Sequence, residues 1–133
     1  LGQLDEPVGI AASAEGNIFV AEAWNRRIQE FTETSGQQGF TALESWDIDG
    51  WYGQSMENKP YIAINNQGNL FVTDPEGYRI LQFDLDGNFI RGWGDYSTDP
   101  TGFGLPSGIA VDSDGRVYVS DSGNNRILRF IIP

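Results

Sequence analysis

The stretch Asn17-Ile-Phe-Val-Ala-Glu22, followed after four residues by Arg27-Ile-x-x-Phe31, decides the fold because it occurs three times. It returns as Asn69-Leu-Phe-Val-Thr-Asp74 with Arg79-Ile-x-x-Phe83, and as Arg116-Val-Tyr-Val-Ser-Asp121 with Arg126-Ile-x-x-Phe130. The glycine before each copy recurs after 52 and then 47 residues. Near-equal spacing of this size is typical of solenoids and propellers.

Each copy begins with a short apolar run and a polar turn that ends in glycine, as in Asp112-Ser-Asp-Gly115. Glycine at that position supplies the positive φ that a tight hairpin needs. The β-rich runs that follow do not alternate cleanly between apolar and polar residues, which indicates strands covered on both faces. A further strand ends in Trp46 in the first copy and in Trp93 in the second. Four antiparallel strands per repeat without helical periodicity predict the blades of a β-propeller.

These signals place blade one at about 7–47, blade two at about 60–95 and blade three at about 106–133. Blade three stops before an outer strand. The first residues, Leu1-Gly-Gln-Leu4, match the lead-in Phe103-Gly-Leu105 to a first strand. We therefore expect a partial array that belongs to a longer protein.

The pattern Pro-x-Gly-Ile-Ala, then Gly-Asn-Ile-Phe-Val, then Asp-Ser-Gly-Asn-Asn-Arg-Ile-Leu-Arg-Phe resembles the NHL repeat, with residues 106–130 as the best match. The resemblance implies a β-propeller that is usually six-bladed, so three NHL-like blades correspond to half a ring. Blade one departs from the motif at Glu22 and Trp24. Blade two departs from it at Tyr61 and in the loop Pro75-Glu-Gly-Tyr78, so the loop surfaces of the blades should differ.

Three blades leave one outer apolar face at each end of the array without a neighbour, and monomers rarely expose large apolar patches. We therefore expect self-association into a homodimer that completes a six-bladed ring, with blade one of each chain against blade three of the other. The alternative is that further blades of a longer chain close the ring.

Composition limits the classes of partner and site. Nineteen acidic and eight basic residues give a net charge of −11, which disfavours nucleic acid as a partner. The sequence has no histidine and no cysteine, which excludes disulfides, thiolate metal sites and thiol nucleophiles. No signal peptide and no membrane span are visible. The sequence leaves the location open, with an extracytoplasmic or cell-envelope site favoured for a larger bacterial-type protein.

Each repeat places an acidic residue and an arginine on either side of a four-residue loop. A short connection between antiparallel strands brings the two ends together, so each pair should form a charge-assisted bridge that builds the blade. A ring of carboxylates that binds a cation or a substrate is the alternative. The expected structural bridges are Glu22 with Arg27, Asp74 with Arg79, and Asp121 with Arg126.

No residue pattern indicates a metal or another cofactor. Three Asp-x-Asp-Gly runs lack the longer ligand spacing of an EF-hand loop. Catalysis would fall to carboxylates with raised pKa values, which a sequence does not reveal. We therefore expect no catalytic residue.

Aromatic and polar residues in the loops form the candidate binding surface, because recognition surfaces combine these types. We expect Trp24, Tyr78 and Trp51 to be exposed on one side of the molecule. Packing between blades is the alternative for Trp51 and Tyr61, and Tyr52 lies beside them in the same connection. The candidate ligand-binding residues are Trp24, Asn25, Arg26, Trp51, Lys59, Tyr61, Glu76, Tyr78, Asn124 and Asn125.

The sequence thus favours a non-catalytic binding or scaffold module that recognises a protein, a peptide or a carbohydrate through its loop face. A propeller hydrolase or lyase with a carboxylate-bound cation in the central channel is the first alternative, and a purely structural assembly module is the second. The fold alone does not identify the ligand.

Overall fold

The computed structural model describes residues 1–36, 38–51 and 58–133. Tyr52 lies outside these residues. No α-helix among them has the length and apolar character that a membrane crossing requires.

The repeats form three consecutive antiparallel sheets, and within each sheet the strands follow chain order. The first sheet contains β1 (Pro7–Ala12), β2 (Ile18–Glu22), β3 (Arg27–Glu33) and β4 (Phe40–Asp47). The second contains β5 (Ile62–Ile64), β6 (Asn69–Asp74), β7 (Arg79–Asp84) and β8 (Phe89–Trp93). The third contains β9 (Pro106–Val111), β10 (Arg116–Asp121) and β11 (Arg126–Ile131), with a 3-10 turn at Ser122–Asn124.

The hairpin turns form where the sequence predicts them. Gly16, Gly68 and Gly115 close the turns between the first and second strands, and each has a positive φ. At Gly16 and Gly115 a Cβ would meet nothing within 4 Å, so the backbone angle rather than crowding favours glycine at these two turns.

The sheets stack through their inner strands. Strand β1 packs beside β5, and β5 and β6 pack beside β9. One apolar cluster fills the seam between the first two sheets, and it includes the buried residues Phe19, Ile28 and Leu70. A second cluster, with Phe71 and Val117, fills the seam between the second and third sheets. This is the arrangement of propeller blades, and the prediction of an all-β fold of antiparallel blades is confirmed.

The two ends of the array differ from its interior seams. Ile62 is 6% exposed in the first seam, whereas Ile10, at the same position of the repeat, is 70% exposed. Ile28 and Ile80 are fully buried, whereas their equivalent Ile127 is 74% exposed. We call the surface that carries Ile10 the leading face of blade one, and the surface that carries Ile127 the trailing face of blade three.

Candidate functional site

Three four-residue loops, 23–26, 75–78 and 122–125, lie on one side of the molecule. The last residue of each loop has a left-handed backbone, with φ 55° at Arg26, 54° at Tyr78 and 52° at Asn125. The connections between blades start on the same side, because Asp47 at the end of β4 pairs with Arg27 at the start of β3. We call this side the loop face.

An acidic residue and an arginine bracket each of these loops and contact each other. The Nε atom of Arg27 lies 2.7 Å from Glu22 Oε2, and that of Arg79 lies 2.7 Å from Asp74 Oδ2. In blade three, Arg126 Nε lies 2.9 Å from Asp121 Oδ2. All three carboxylate side chains are fully buried.

Each arginine also reaches the chain segment that leads into its own blade. Arg27 Nη2 donates to the carbonyl of Gln3 at 2.7 Å, and Arg79 Nη2 donates to the carbonyl of Asp49 at 3.0 Å. Arg126 donates to several carbonyls of the connection before blade three, as described below. The repeated pair therefore connects the lead-in segment to the blade in each of the three repeats.

The buried carboxylates accept further hydrogen bonds from the lead-in segments. Asp121 Oδ1 accepts from the backbone N–H groups of Gly104 and Leu105 at 2.8 and 2.9 Å. Glu22 Oε1 accepts from the backbone N–H of Asp5 at 2.9 Å. The residues before blade one thus contact that blade much as residues 103–105 contact blade three.

Two candidate ligand-binding asparagines belong to the same networks. Asn25 Nδ2 donates to Glu22 Oε1 at 2.8 Å, and Asn124 Nδ2 donates to Asp121 Oδ2 at 2.9 Å. Gly77 holds the equivalent position in blade two, where its backbone N–H donates to Asp74. Asn25 is exposed and Asn124 is partly buried, and the side-chain N–H groups of both are bonded to the carboxylate of their own blade.

The pKa values of the three buried carboxyl groups shift in different directions, and their hydrogen-bond donors also differ. Burial raises the pKa of the Asp74 carboxyl, and the hydrogen bonds from Arg79 and Gly77 offset that effect only in part. Burial also acts on Asp121, but donors that include Leu105, Asn124 and Arg126 outweigh it and lower the pKa of that carboxyl. The pKa of Glu22 is lowered in the same way, because donors that include Arg27 and Asn25 outweigh burial.

The aromatic residues of the loop face divide into exposed and buried. Trp24 is 67% exposed, Tyr61 is exposed, and Tyr78 is partly buried. The expectation that Trp51 is exposed is wrong, since its side chain is fully buried. It packs in the seam between blades one and two with Ile48 and Ile62, because the connection turns inward there and a large apolar ring fills the gap.

The remaining candidates lie around the loops. Arg26 and Asn125 are exposed, and Glu76 is partly exposed. The Nζ atom of Lys59 forms a salt bridge of 3.0 Å with Glu6 Oε1.

A groove of about 280 Å³ opens where blades two and three meet at the loop face. It brings two of the candidates, Lys59 and Tyr61, next to residues that the sequence did not single out. Its lining residues are Asn58, Lys59, Tyr61, Pro75, Leu105, Ser107 and Ser122. Blades one and three have Gly9 and Gly108 near the start of their first strand, whereas blade two has Tyr61 at this position. The aromatic ring of Tyr61 borders the groove.

Tyr96 is a further loop-face residue that sequence reasoning missed. It is 73% exposed, and its ring lies against that of Tyr78. Its place in a connection between blades, like that of Trp51, was the available signal.

Within the described parts of the chain, no group of three or more Asp or Glu side chains converges as a metal site would require. The buried carboxylates are each paired with an arginine of the same blade. Two clefts beside Arg79 are each lined by two carboxylates, Asp47 with Asp49 in one and Asp74 with Glu76 in the other.

Comparison with known proteins agrees with this geometry. The model of the NHL repeat family matches residues 103–130. The chain is an NHL-repeat protein. The protein brain tumor of Drosophila melanogaster is 30% identical over 130 residues, which cover 97% of this chain and 12% of that protein. The human NHL repeat-containing protein 3 is 30% identical over 78 residues, which cover 56% of this chain and 22% of that protein.

The NHL-type blades also have solved structural counterparts. A catalytically inactive virginiamycin B lyase from Staphylococcus aureus superposes with a TM-score of 0.65 at 19% identity, over 100% of this chain and 44% of that one. At this identity the likeness concerns the propeller fold alone. The present chain spans less than half the length of each of these proteins.

Proposed function

We propose that this NHL-repeat chain is a non-catalytic binding module that recognises a protein, a peptide or a carbohydrate through its loop face. The observation that carries the proposal is the set of exposed aromatic side chains, Trp24, Tyr61 and Tyr96, on the loop face. The Glu22 and Arg27 pair brackets the loop of Trp24, Arg126 binds the segment of Tyr96, and Thr73 binds the backbone of Tyr61. Aromatic residues displayed on a rigid support gain contact area at a low entropic cost, which is how binding surfaces obtain affinity.

A binding role also agrees with the chemistry of the carboxylates. Glu22, Asp74 and Asp121 are fully buried beneath the loops, and each is neutralised by its arginine. The groove between blades two and three offers one ammonium group, one amide and three hydroxyl groups beside apolar walls. Such a lining suits hydrogen bonding and stacking better than proton transfer.

The test is a binding survey with matched variants. Peptide and glycan arrays would be probed with the purified chain, and the affinity of each hit would be measured by titration calorimetry. The variants are Trp24→Ala and Tyr61→Gly, the second of which restores the residue of blades one and three. Phe40→Ala is the control, because Phe40 is exposed at the far end of β4 from the loop face.

We expect at least one loop-face variant to weaken binding while the control binds normally. Equal binding by all three variants would overturn a loop-face site.

We further propose that the chain associates with itself through its two open blade faces. Ile10 and Ile127 are exposed there, whereas Ile62, at the position of Ile10, and Ile28 and Ile80, at the position of Ile127, are buried in the interior seams. The leading face of blade one and the trailing face of blade three therefore each expose an apolar side chain that an interior seam would cover. Two copies related by a two-fold axis would cover all four faces and complete a six-bladed ring. Light scattering at micromolar concentration tests this, since a folded monomer would refute the dimer.

A further inference from the structure

Tyr78 and Tyr96 form an aromatic pair that joins two segments of the loop face. Their ring centroids lie 5.0 Å apart and the ring planes meet at 63°, an edge-to-face contact. Tyr78 ends the four-residue loop of blade two, and Tyr96 lies in the connection between blades two and three. With 73% of its surface exposed, Tyr96 presents its ring to the solvent.

The segment that carries Tyr96 is held on both sides. Phe103 donates its backbone N–H to the carbonyl of Asp95 at 2.8 Å, and Ser97 donates to the carbonyl of Phe103 at 3.1 Å. Asn124 Nδ2 donates to the carbonyl of Ser97 at 2.9 Å. The exposed ring therefore projects from a fixed backbone, so binding of a partner would lose little conformational entropy in this segment.

Arg126 adds three further attachments to the same segment. Its guanidinium donates to the carbonyls of Thr98, Asp99 and Gly102 at 2.6, 2.8 and 2.9 Å. Gly94 lies at the other end of the segment, where a Cβ would come within 2.7 Å of the carbonyl oxygen of Tyr78. The two tyrosines are thus set against each other by backbone contacts and not by their rings alone.

The charged residues within the two segments that carry the pair are all acidic. The segments 75–78 and 94–102 contain three carboxylates, Glu76, Asp95 and Asp99, and neither lysine nor arginine. Asp95 and Asp99 are exposed. The guanidinium groups of Arg79 and Arg126 are bound to buried carboxylates and backbone carbonyls. Neither is hydrogen-bonded to the side chain of Asp95, Asp99 or Glu76 within the described residues.

We propose that the Tyr78 and Tyr96 pair, with its rim of Asp95, Asp99 and Glu76, is the docking point for an arginine or lysine side chain of a basic peptide segment. A cation attracts the negative face of an aromatic ring, and the neighbouring carboxylates strengthen that attraction at longer range. This inference rests on the proposed loop-face binding, and it names the chemistry of the partner.

The experiment measures binding of three short fluorescent peptides of equal length by anisotropy. One is rich in arginine, one has glutamine in place of each arginine, and one has glutamate there. We expect the arginine peptide alone to bind, and to bind more weakly as salt is raised, because salt screens exposed charges.

Four variants test where the arginine peptide binds. Tyr96→Ala should weaken binding by roughly threefold to tenfold, while Tyr96→Phe should retain it because the ring face remains. Tyr78→Asn should also weaken it, and Asn125 shows that asparagine accepts this left-handed backbone. Phe40→Ala should bind as the parent does. Equal melting temperatures would show that the variants are folded.

The outcomes separate the two proposals. Loss of binding in Tyr96→Ala and Tyr78→Asn, with retention in Tyr96→Phe, supports the docking point. The docking point is overturned if the chain prefers the neutral or the acidic peptide, or if all variants still bind the arginine peptide. Loop-face recognition would then be tested with the Trp24 and Tyr61 variants. Failure of every peptide and glycan to bind would overturn both.

Discussion

Arg126 donates its Nε–H to the buried Asp121 at 2.9 Å, and its remaining donors bind carbonyl groups of the connection before blade three. One side chain thereby links a strand, a loop and a connection between blades. The same pairing in blades one and two extends the link to every repeat.

Replacing Arg126 by alanine should lower the free energy of unfolding by about 1–3 kcal/mol, because Asp121 would remain buried without its cation. Urea denaturation measures this. Arg129→Ala is the matched control, since Arg129 is exposed three residues further along β11 and its replacement should change stability by less than about 0.5 kcal/mol. Equal denaturation midpoints for the two variants would contradict a structural role for Arg126.

Replacing Trp51 by alanine should lower the free energy of unfolding by about 3–5 kcal/mol, because removal of a fully buried ring would leave a cavity between blades one and two. Trp24→Ala removes the same side chain from an exposed site and should change stability by less than about 0.5 kcal/mol. Thermal or urea unfolding of both variants makes the comparison. Similar losses from the two substitutions would show that Trp51 does not fill the seam.

The free energy of unfolding should fall as the solution is acidified. Glu22 and Asp121 have lowered pKa values in the folded chain, so their contribution is present above the ordinary carboxyl pKa of about 4 and is lost as the pH falls through the folded values. Asp74 acts in the opposite sense, because its raised pKa means that the folded chain holds that proton more tightly.

Urea titrations at a series of pH values between neutral and acidic measure this dependence. Asp121→Asn should give a shallower loss of stability on acidification than the parent, because one of the groups with a lowered pKa no longer titrates. A steeper loss in this variant would show that the pKa of Asp121 is not lowered by folding.

Replacing Ile127 by aspartate should abolish self-association, because a charge would enter a seam that is apolar at the equivalent Ile28 and Ile80. Ile90→Asp is the control, since Ile90 is exposed on the outer strand of blade two. Sedimentation velocity measures both. If the Ile127 variant associates as strongly as the parent, the trailing face of blade three is not the interface.

The blade architecture was predictable from the sequence because the repeat supplies it three times. Turn glycines and strand composition each depend on local rules that hold in every copy. The strand bounds therefore follow closely from residue patterns such as Asn69-Leu-Phe-Val-Thr-Asp74.

The loop surface was less predictable, because it depends on how non-repeated connections fold back. Trp51 and Tyr96 both lie in such connections, yet one is buried in a seam and the other is exposed. The roles of Asn25 and Asn124 also required coordinates, since a side chain that donates inward and one that faces a ligand have the same sequence signature.

The left-handed residue at the end of each loop has a consequence for how such modules could be altered. Arginine, tyrosine and asparagine occupy this position with φ values within a few degrees of one another, beside an acid and arginine pair that recurs in each blade. The backbone thus accepts chemically unrelated side chains at the last residue of each four-residue loop. Exchanging these three residues among the blades should therefore change the side chains of the loop face without requiring a new backbone conformation in the loops.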